Sequence, residues 1–412
     1  CLDGTGRVCF HARRLCAGAC SSCHRARLFL RWPLCLIACA GPVLHHRSLP
    51  RNIVKIVIAA WHLKNLNVGI GRYARELIEA LGRVDQTNHY EILIPHAEHP
   101  FTARPNMRYR VIRFPLFRRR FWEQVAPLLV GPYDVLHFPY DSCVAWKRGK
   151  FVATIHDVKP LLFPVLRART NLNSRIEQWL VGDRWKKLDH VITISEHSRR
   201  DLLAHVPLRP EQVTVTSLGL DAERFRPAEH PGERKPYVFC VAGADPTKNV
   251  GVLIDAFAKL PEMLRSRFDL ILAGDVCKRQ DIRAAVESHG LSAHTTLVGV
   301  VSDRELVAYY QQATLFVFPS LYEGFGLPVL EAMGCGCPVI CSNASSLPEV
   351  AGDAAVLFDP RDGGRLALEL SRVLASPALR DELRARGVAR AREFSWDRTA
   401  VETVAVYRRL AG

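Results

Sequence analysis

The sequence predicts an α/β protein of two Rossmann-like, doubly wound domains that face each other across a cleft. Two observations predict it. Short continuous apolar runs alternate with amphipathic helical stretches from residue 53 onward, and the series starts afresh after a stretch dense in Pro, Gly and charge at 219–236. Continuous apolar runs mark strands buried on both faces of a parallel sheet, and the alternation supplies the crossover helices. The intervening composition is that of an inter-domain linker.

Size and charge agree with this reading. A chain of 412 residues suits two domains of ordinary size. With 48% hydrophobic and 24% charged residues it has the balance of a soluble globular protein. No charge-free apolar run reaches the length of a spanning helix. The net charge is +15, of which residues 1–52 carry +7 through eight Arg and the lone acid Asp3. The mild excess elsewhere fits phosphates or an anionic membrane surface. No nucleic-acid-reading motif is present, so no nucleic-acid partner is expected. Of 13 cysteines, seven lie within the first 39 residues, and most of the others sit in apolar contexts where Cys acts as a small hydrophobe. A reduced, cytoplasmic protein follows.

Residues 1–52 lack sustained periodicity and read as an extension, non-native or disordered. The stretch 28–44 resembles a signal-peptide core but is interrupted by Arg31 and Pro33, and Cys16, Cys20 and Cys23 lack a paired C-x-x-C.

The first domain is expected over 53–218. It opens with the strand in NIVKIVIAA, then a polar stretch, then a helix whose apolar face is Ile70, Tyr73, Ala74, Leu77, Ile78 and Leu81. Gly69 and Gly71 are placed just before its first turn. Strand, glycine turn and helix start can hold an anion, although the same pattern also serves an ordinary tight turn. Further strands are expected at 90–95, 109–114, 134–139, 149–157 and 190–195. His156 and Asp157 stand at a carboxyl strand end, where ligands of such sheets bind. A His there can meet a hydroxyl or developing charge, or simply a nearby carbonyl. Ser195 reads as an N-cap, within reach of a phosphate role. The segment 113–125 interleaves Arg with Phe114, Phe117, Phe121 and Trp122, which suits either an anionic bilayer surface or a solvated face beside core aromatics.

After the linker, a second domain over 237–394 repeats the alternation, and 395–412 forms a helix expected to pack back on the first domain. Its chemistry concentrates in two loops. AGADPTKN (242–249) joins a buried strand to a helix, so Lys248 and backbone N–H groups could share a phosphate. In SLYEGFGLPVLEAMGCGCPVI, Glu323 ends a post-strand loop, and Gly324 and Gly326 let the backbone approach a ligand. Pro328 suits the first helical position, the amides of Leu327 to Leu330 would be open donors, and Glu331 falls in the first turn. There it could accept from two ribose hydroxyls, or simply complement the helix dipole.

These residues resemble the retaining nucleotide-sugar glycosyltransferases of the GT-B fold, the glycosyl transferases group 1 (family four). The resemblance spans about 53–410. EGFGLPVLE is its most specific element, supported by NVGIGRYA, TIHDV, VITISEHS, ADPTKN and LAGD. It implies a catalytic pair, His156 and Glu323. It implies donor binding by Gly243, Lys248, Gly324, Phe325, Gly326, Leu327 and Glu331, and an acceptor and phosphate loop of Gly69, Gly71 and Arg72. The partners implied are a nucleotide-diphosphate sugar and an oligosaccharide or lipid-linked acceptor, with mannose and GDP-mannose favoured and peripheral contact with the inner membrane face through 113–125. No D-x-D follows residue 53, so no metal and no cofactor are expected. Val68 replaces a frequent Gly and Thr247 a frequent Arg, which leaves Lys248 short of help unless Arg72 or another Arg supplies it. A silent nucleotide-sugar-binding subunit and an epimerase of the same fold are the competing functions.

Overall fold

The computed structural model describes residues 53–64, 69–95, 101–102, 104–113, 119–163, 187–229 and 235–412. The 1–52 extension, Val68, residues 114–118 of the basic-aromatic segment and 230–234 of the linker lie outside the described residues.

The first sheet contains β1 (Lys55–Ala59), β2 (His89–Ile94), β3 (Met107–Val111), β4 (Val135–Phe138), β5 (Lys150–Thr154), β6 (His190–Thr193) and β7 (Val213–Val215). All pairings are parallel, in the order β3-β2-β1-β4-β5-β6-β7. Every residue of β4, and Ile56 to Ala59 of β1, is buried, as strands covered on both faces require. The second sheet contains β8 (Lys235–Val241), β9 (Asp269–Ala273), β10 (Thr295–Gly299), β11 (Ala313–Phe318), β12 (Val339–Ser342) and β13 (Val356–Phe358), again all parallel, in the order β10-β9-β8-β11-β12-β13. In the first sheet only β7 lacks a counterpart among the expected strands. Its three residues, VTV, are too short to carry a periodic signal.

The helices that matter for the site are α1 (Gly69–Val84), α2 (Glu196–His205), α3 (Val250–Ala258), α4 (Asp303–Gln312), α5 (Leu327–Gly334) and α6 (Trp396–Ala411). The apolar stripe of α1 buries Tyr73, Ala74, Leu77, Ile78 and Leu81 completely, while Ile70 stays partly exposed beside the cleft. Gly69 and Gly71 are the first and third residues of α1 and not a turn ahead of it.

The chain passes between the sheets twice, and the passages run together: Leu220 bridges Ser395. Helix α6 then lies along α1. Thr399 Oγ1 donates to Ser217 O at 2.6 Å, and Arg83 pairs with Asp397. Deeper in, Tyr407 OH sits 2.6 Å from Nδ1 of His137, whose Nε2 is 2.8 Å from Thr154 Oγ1. Thr154 in turn lies 3.1 Å from Tyr73 OH. All four side chains are fully buried, and a neutral imidazole that accepts from Tyr407 and donates to Thr154 satisfies the chain.

In the described part of 113–125, Arg119 and Arg120 do not present a free basic face. Arg119 and Arg120 turn onto the fully buried Glu123, Trp122 is buried, and Phe121 is exposed. An unpaired buried carboxylate is expensive, so Glu123 claims both cations. No helix among the described residues is long and apolar enough to cross a membrane.

Tyr407→Phe strips Nδ1 of His137 of its partner in a dry site. The expected loss is about 1–3 kcal/mol of stability, read as a lower midpoint in chemical denaturation with no change in slope.

Candidate functional site

In doubly wound sheets a crevice opens at the carboxyl ends of strands where the winding direction reverses. In the second sheet that point lies between β8 and β11. The loops that follow these two strands are 242–249 and 319–326, the same two loops in which the sequence concentrates its chemistry. Facing them are the start of α1 and the loop after β5. Together they line a cleft of about 960 Å³, enough for a nucleotide-sized ligand. Gly69, Arg72, His156, Gly243, Lys248, Glu323, Gly324, Phe325, Gly326, Leu327 and Glu331 all line it. Gly71 does not; as the third residue of α1 it is buried in the helix.

The turn after β8 is tighter than a phosphate loop needs. The N–H of Thr247 donates to Asp245 Oδ1 at 2.9 Å, that of Lys248 to Asp245 O at 3.0 Å and that of Asn249 to Pro246 O at 3.0 Å. The amides of Thr247, Lys248 and Asn249 are therefore used locally. Lys248 Nζ lies 2.6 Å from Glu323 Oε1 and over the ring of Phe318. Thr247 is buried, with its hydroxyl on Asp245.

Loop 323–326 is pinned from three sides. The N–H of Glu323 donates to Ser345 Oγ at 2.8 Å, and Ser346 Oγ lies 2.9 Å from Glu323 O and 2.7 Å from Phe325 O. Ser345 itself holds φ at 53°, a left-handed conformation of the kind that clusters at functional loops. Gly326 caps α5 at φ 116°, where a Cβ would also come 2.6 Å from Leu347 Cδ2. Leu327, not Pro328, opens the helix. The N–H groups of Val329 and Leu330 both reach Gly326 O, and Pro328 has none. Of the four expected donors, Leu327 keeps the open one. Glu331 is the fifth residue of α5, past the first turn, so the helix dipole does not account for it. It is buried; Arg72 Nη1 donates to its Oε1 at 2.6 Å and Tyr310 OH to its Oε2 at 3.3 Å. Burial pushes its carboxyl above the usual range, against the pull of Arg72.

Across the cleft, the backbone after β5 meets that loop directly. Ser195 caps α2 by accepting from the Ser198 N–H, and its hydroxyl donates to Gly324 O at 2.7 Å. Ser198 Oγ lies 2.9 Å from His156 O and 3.1 Å from Gly324 O. A Cβ on Gly324 would stand 2.8 Å from His156 O, so only glycine permits this approach. His156 packs its ring edge-on against Tyr73, with Nε2 3.4 Å from Pro139 O. Burial lowers its pKa to about 4, so at neutral pH it is an uncharged donor and acceptor. Asp157, whose carboxyl burial pushes up, lines the cleft beside it.

Sequence reasoning missed the ion pairs and the hydrogen bond that tie the two sides together. Arg72 bridges Glu331 and Asp303, Arg224 also reaches Asp303, Lys159 pairs with Asp245, and Tyr322 OH donates to Asp201 at 2.7 Å. Ser302 and Glu305 form a capping box that is readable in the sequence and marks the start of α4. Nothing local announces that Asp303 would meet a residue 231 positions away. Among the described residues no three His, Cys, Asp or Glu side chains cluster to hold a metal ion.

Comparison with known proteins finds relatives of the whole described chain. Residues 68–224 fit the model for glycosyltransferase family 4, and residues 221–393 that for glycosyl transferases group 1. The O-antigen chain mannosyltransferase B of Escherichia coli is 28% identical over 394 residues, covering 87% of this chain and 100% of the relative. The MMP alpha-(1->4)-mannosyltransferase of Mycolicibacterium hassiacum is 35% identical over 304 residues, covering 68% of this chain and 71% of the relative. Sucrose-phosphate synthase from Thermosynechococcus elongatus shares the fold, with a TM-score of 0.67 at 23% identity, covering 87% of this chain and 99% of that one.

Burial lowers His156 to about 4, His190 to about 4 and His137 to about 3. An unfolded His titrates near 6.5, so below that pH the unfolded chain binds more protons and folding loses free energy. Stability is expected to fall as pH drops from about 6.5 toward 4. Denaturation midpoints at pH 7 and pH 5 check this, and His156→Asn should flatten the difference.

Proposed function

This chain belongs to the glycosyl transferases group 1, of GT-B fold, and we propose that its cleft moves a hexosyl group from a nucleotide-diphosphate sugar to a hydroxyl of a glycan or lipid-linked acceptor, with retention at the anomeric carbon. The observation that carries this reading is the Lys248–Glu323 pair at the β8/β11 switch, with His156 on the facing wall of the same cleft. Mannose is the favoured sugar and GDP the favoured carrier, supported by the mannosyltransferases among the relatives. Peripheral contact with the inner membrane face would bring a lipid-linked acceptor within reach.

The chemistry follows from charge. The bond between the anomeric carbon and the diphosphate oxygen breaks, leaving an oxocarbenium-like sugar and a more negative diphosphate. Lys248 and the Leu327 N–H stabilise the leaving group where that charge develops. Glu323, held rigidly by Ser345 and Ser346, lies beside the sugar and opposes its positive charge. His156, neutral at pH 7, can hydrogen-bond a sugar hydroxyl without repelling the oxocarbenium. The acceptor oxygen then bonds to the same face of the anomeric carbon and gives its proton to a departing phosphate oxygen. No protein nucleophile is needed. Phosphate neutralisation by Lys248 takes the place of a divalent ion, so turnover is expected to survive EDTA.

A labelled-donor assay with GDP- and UDP-sugars, with the product anomer read by NMR, tests the reading. Glu323→Gln and His156→Ala are expected to lower turnover by at least about 10²-fold while donor binding persists, and Lys248→Ala to cost about 10²–10³-fold. An inverted product would sink retention. Donor binding without turnover by the unaltered chain would leave a nucleotide-sugar-binding subunit, and interconversion of the donor sugar an epimerase.

A further inference from the structure

Arg72 is spent in a way the transfer reaction does not require. It leaves α1 on the first-sheet side and forks across the cleft, with Nη1 on Glu331 Oε1 at 2.6 Å and Nη2 on Asp303 Oδ1 at 2.5 Å, both carboxylates belonging to the second side. Its side chain is one-fifth exposed, and the guanidinium also lies over the Phe225 ring at 5.9 Å. Two charge-assisted hydrogen bonds from one planar guanidinium, one to each carboxylate, make this a strong contact. Yet Glu331 and Arg72 both line the ligand cleft, and Arg72 holds one of the acceptor sites on Glu331 that ribose hydroxyls would use.

The two carboxylates differ in what they keep if Arg72 leaves. Asp303 retains Arg224, which is itself anchored on Asp221, and about half of the Asp303 side chain meets solvent. Glu331 is buried and retains the longer bond from Tyr310. A buried carboxylate that loses a cation needs donors, and two adjacent hydroxyls supply them. The freed guanidinium needs an anion in turn. Lys248 is already matched by Glu323, and Thr247 adds no cation, so a diphosphate entering the cleft meets a deficit of positive charge that Arg72 can fill.

We infer that Arg72 is a displaceable latch: it ties Glu331 to the facing lobe, and a nucleoside diphosphate exchanges the partners, ribose hydroxyls taking Glu331 while the phosphates take the guanidinium. This rests on the nucleotide-sugar reading of the site. It makes ribose recognition and phosphate recognition antagonistic in the absence of the other, because ribose alone must break the fork with nothing to receive Arg72.

The test compares guanosine with GDP, and uridine with UDP, in equilibrium titrations of the full chain and of Arg72→Gln and Arg72→Lys. In Arg72→Gln the nucleoside is expected to bind at least threefold more tightly than to the unaltered protein. The tightening gained on adding the diphosphate should shrink at least tenfold. Arg72→Lys cannot fork onto both carboxylates but keeps the charge. It should tighten the nucleoside similarly and hold the diphosphate gain within about threefold, and it carries the test if the Gln variant does not fold. A nucleoside affinity that is unchanged or weaker in both variants overturns the latch, even if the diphosphate gain falls, since that outcome describes a phosphate cation that was never engaged. Failure of the unaltered chain to bind any nucleoside diphosphate sinks the nucleotide-sugar reading itself, whereas binding with an unaltered diphosphate gain sinks the latch alone.

Discussion

The geometry of the cleft depends on one close approach, Gly324 against the carbonyl of His156. Ser195 and Ser198 hold the Gly324 carbonyl from the cap of α2, and the absence of a Cβ lets the two backbones come within contact distance. Loops that join secondary elements are usually the most variable parts of a structure. Here two of them, from different sheets, are locked to each other by hydroxyl-to-carbonyl bonds in a buried setting, where such bonds are costly to leave unmade. Glu323 and His156 therefore face the cleft from a shared foundation, and neither can move far without breaking it.

Around that junction the charges are paired within the protein. Lys248 has Glu323, Lys159 has Asp245, and Arg72 has Glu331 and Asp303. Matched pairs in a partly dry crevice stabilise the protein only modestly, because desolvation offsets much of the attraction. Their greater effect is on selectivity. A ligand must offer replacement partners for every pair it disturbs, which a molecule joining a diphosphate to neighbouring hydroxyls can do and a simple anion cannot.

The hydrogen-bonded chain from Tyr407 through His137 and Thr154 to Tyr73 reaches the same place from behind, since Tyr73 packs against His156. The C-terminal helix thus supports the wall of the cleft although none of its residues lines it. A satisfied polar chain in a buried site is rigid and specific, and leaving one member unsatisfied is the penalty for disturbing it.

Much of this was legible in the residues. Apolar runs and their alternation gave six of the seven strand positions of the first sheet, because a parallel sheet buried on both faces leaves a continuous hydrophobic signature. Glu323, Lys248 and His156 were legible because loops that follow such strands must carry the polar groups of a site, and those loops held few candidates. The amides around Lys248 and Val329 were misjudged for a local reason. Whether an N–H is open depends on turn geometry, and a single short 3₁₀ turn or glycine cap consumes donors that residue type cannot reveal. By itself, then, the sequence determined the two sheets, their loops and the identity of the chemistry-bearing side chains, since these follow from short-range periodicity and composition. Only the tertiary structure decided which of those side chains meet. Arg72 with Glu331 and Asp303, Ser195 with Gly324 and Tyr407 with His137 are pairings over more than a hundred residues, set by how the two lobes close and carrying no local mark in the chain.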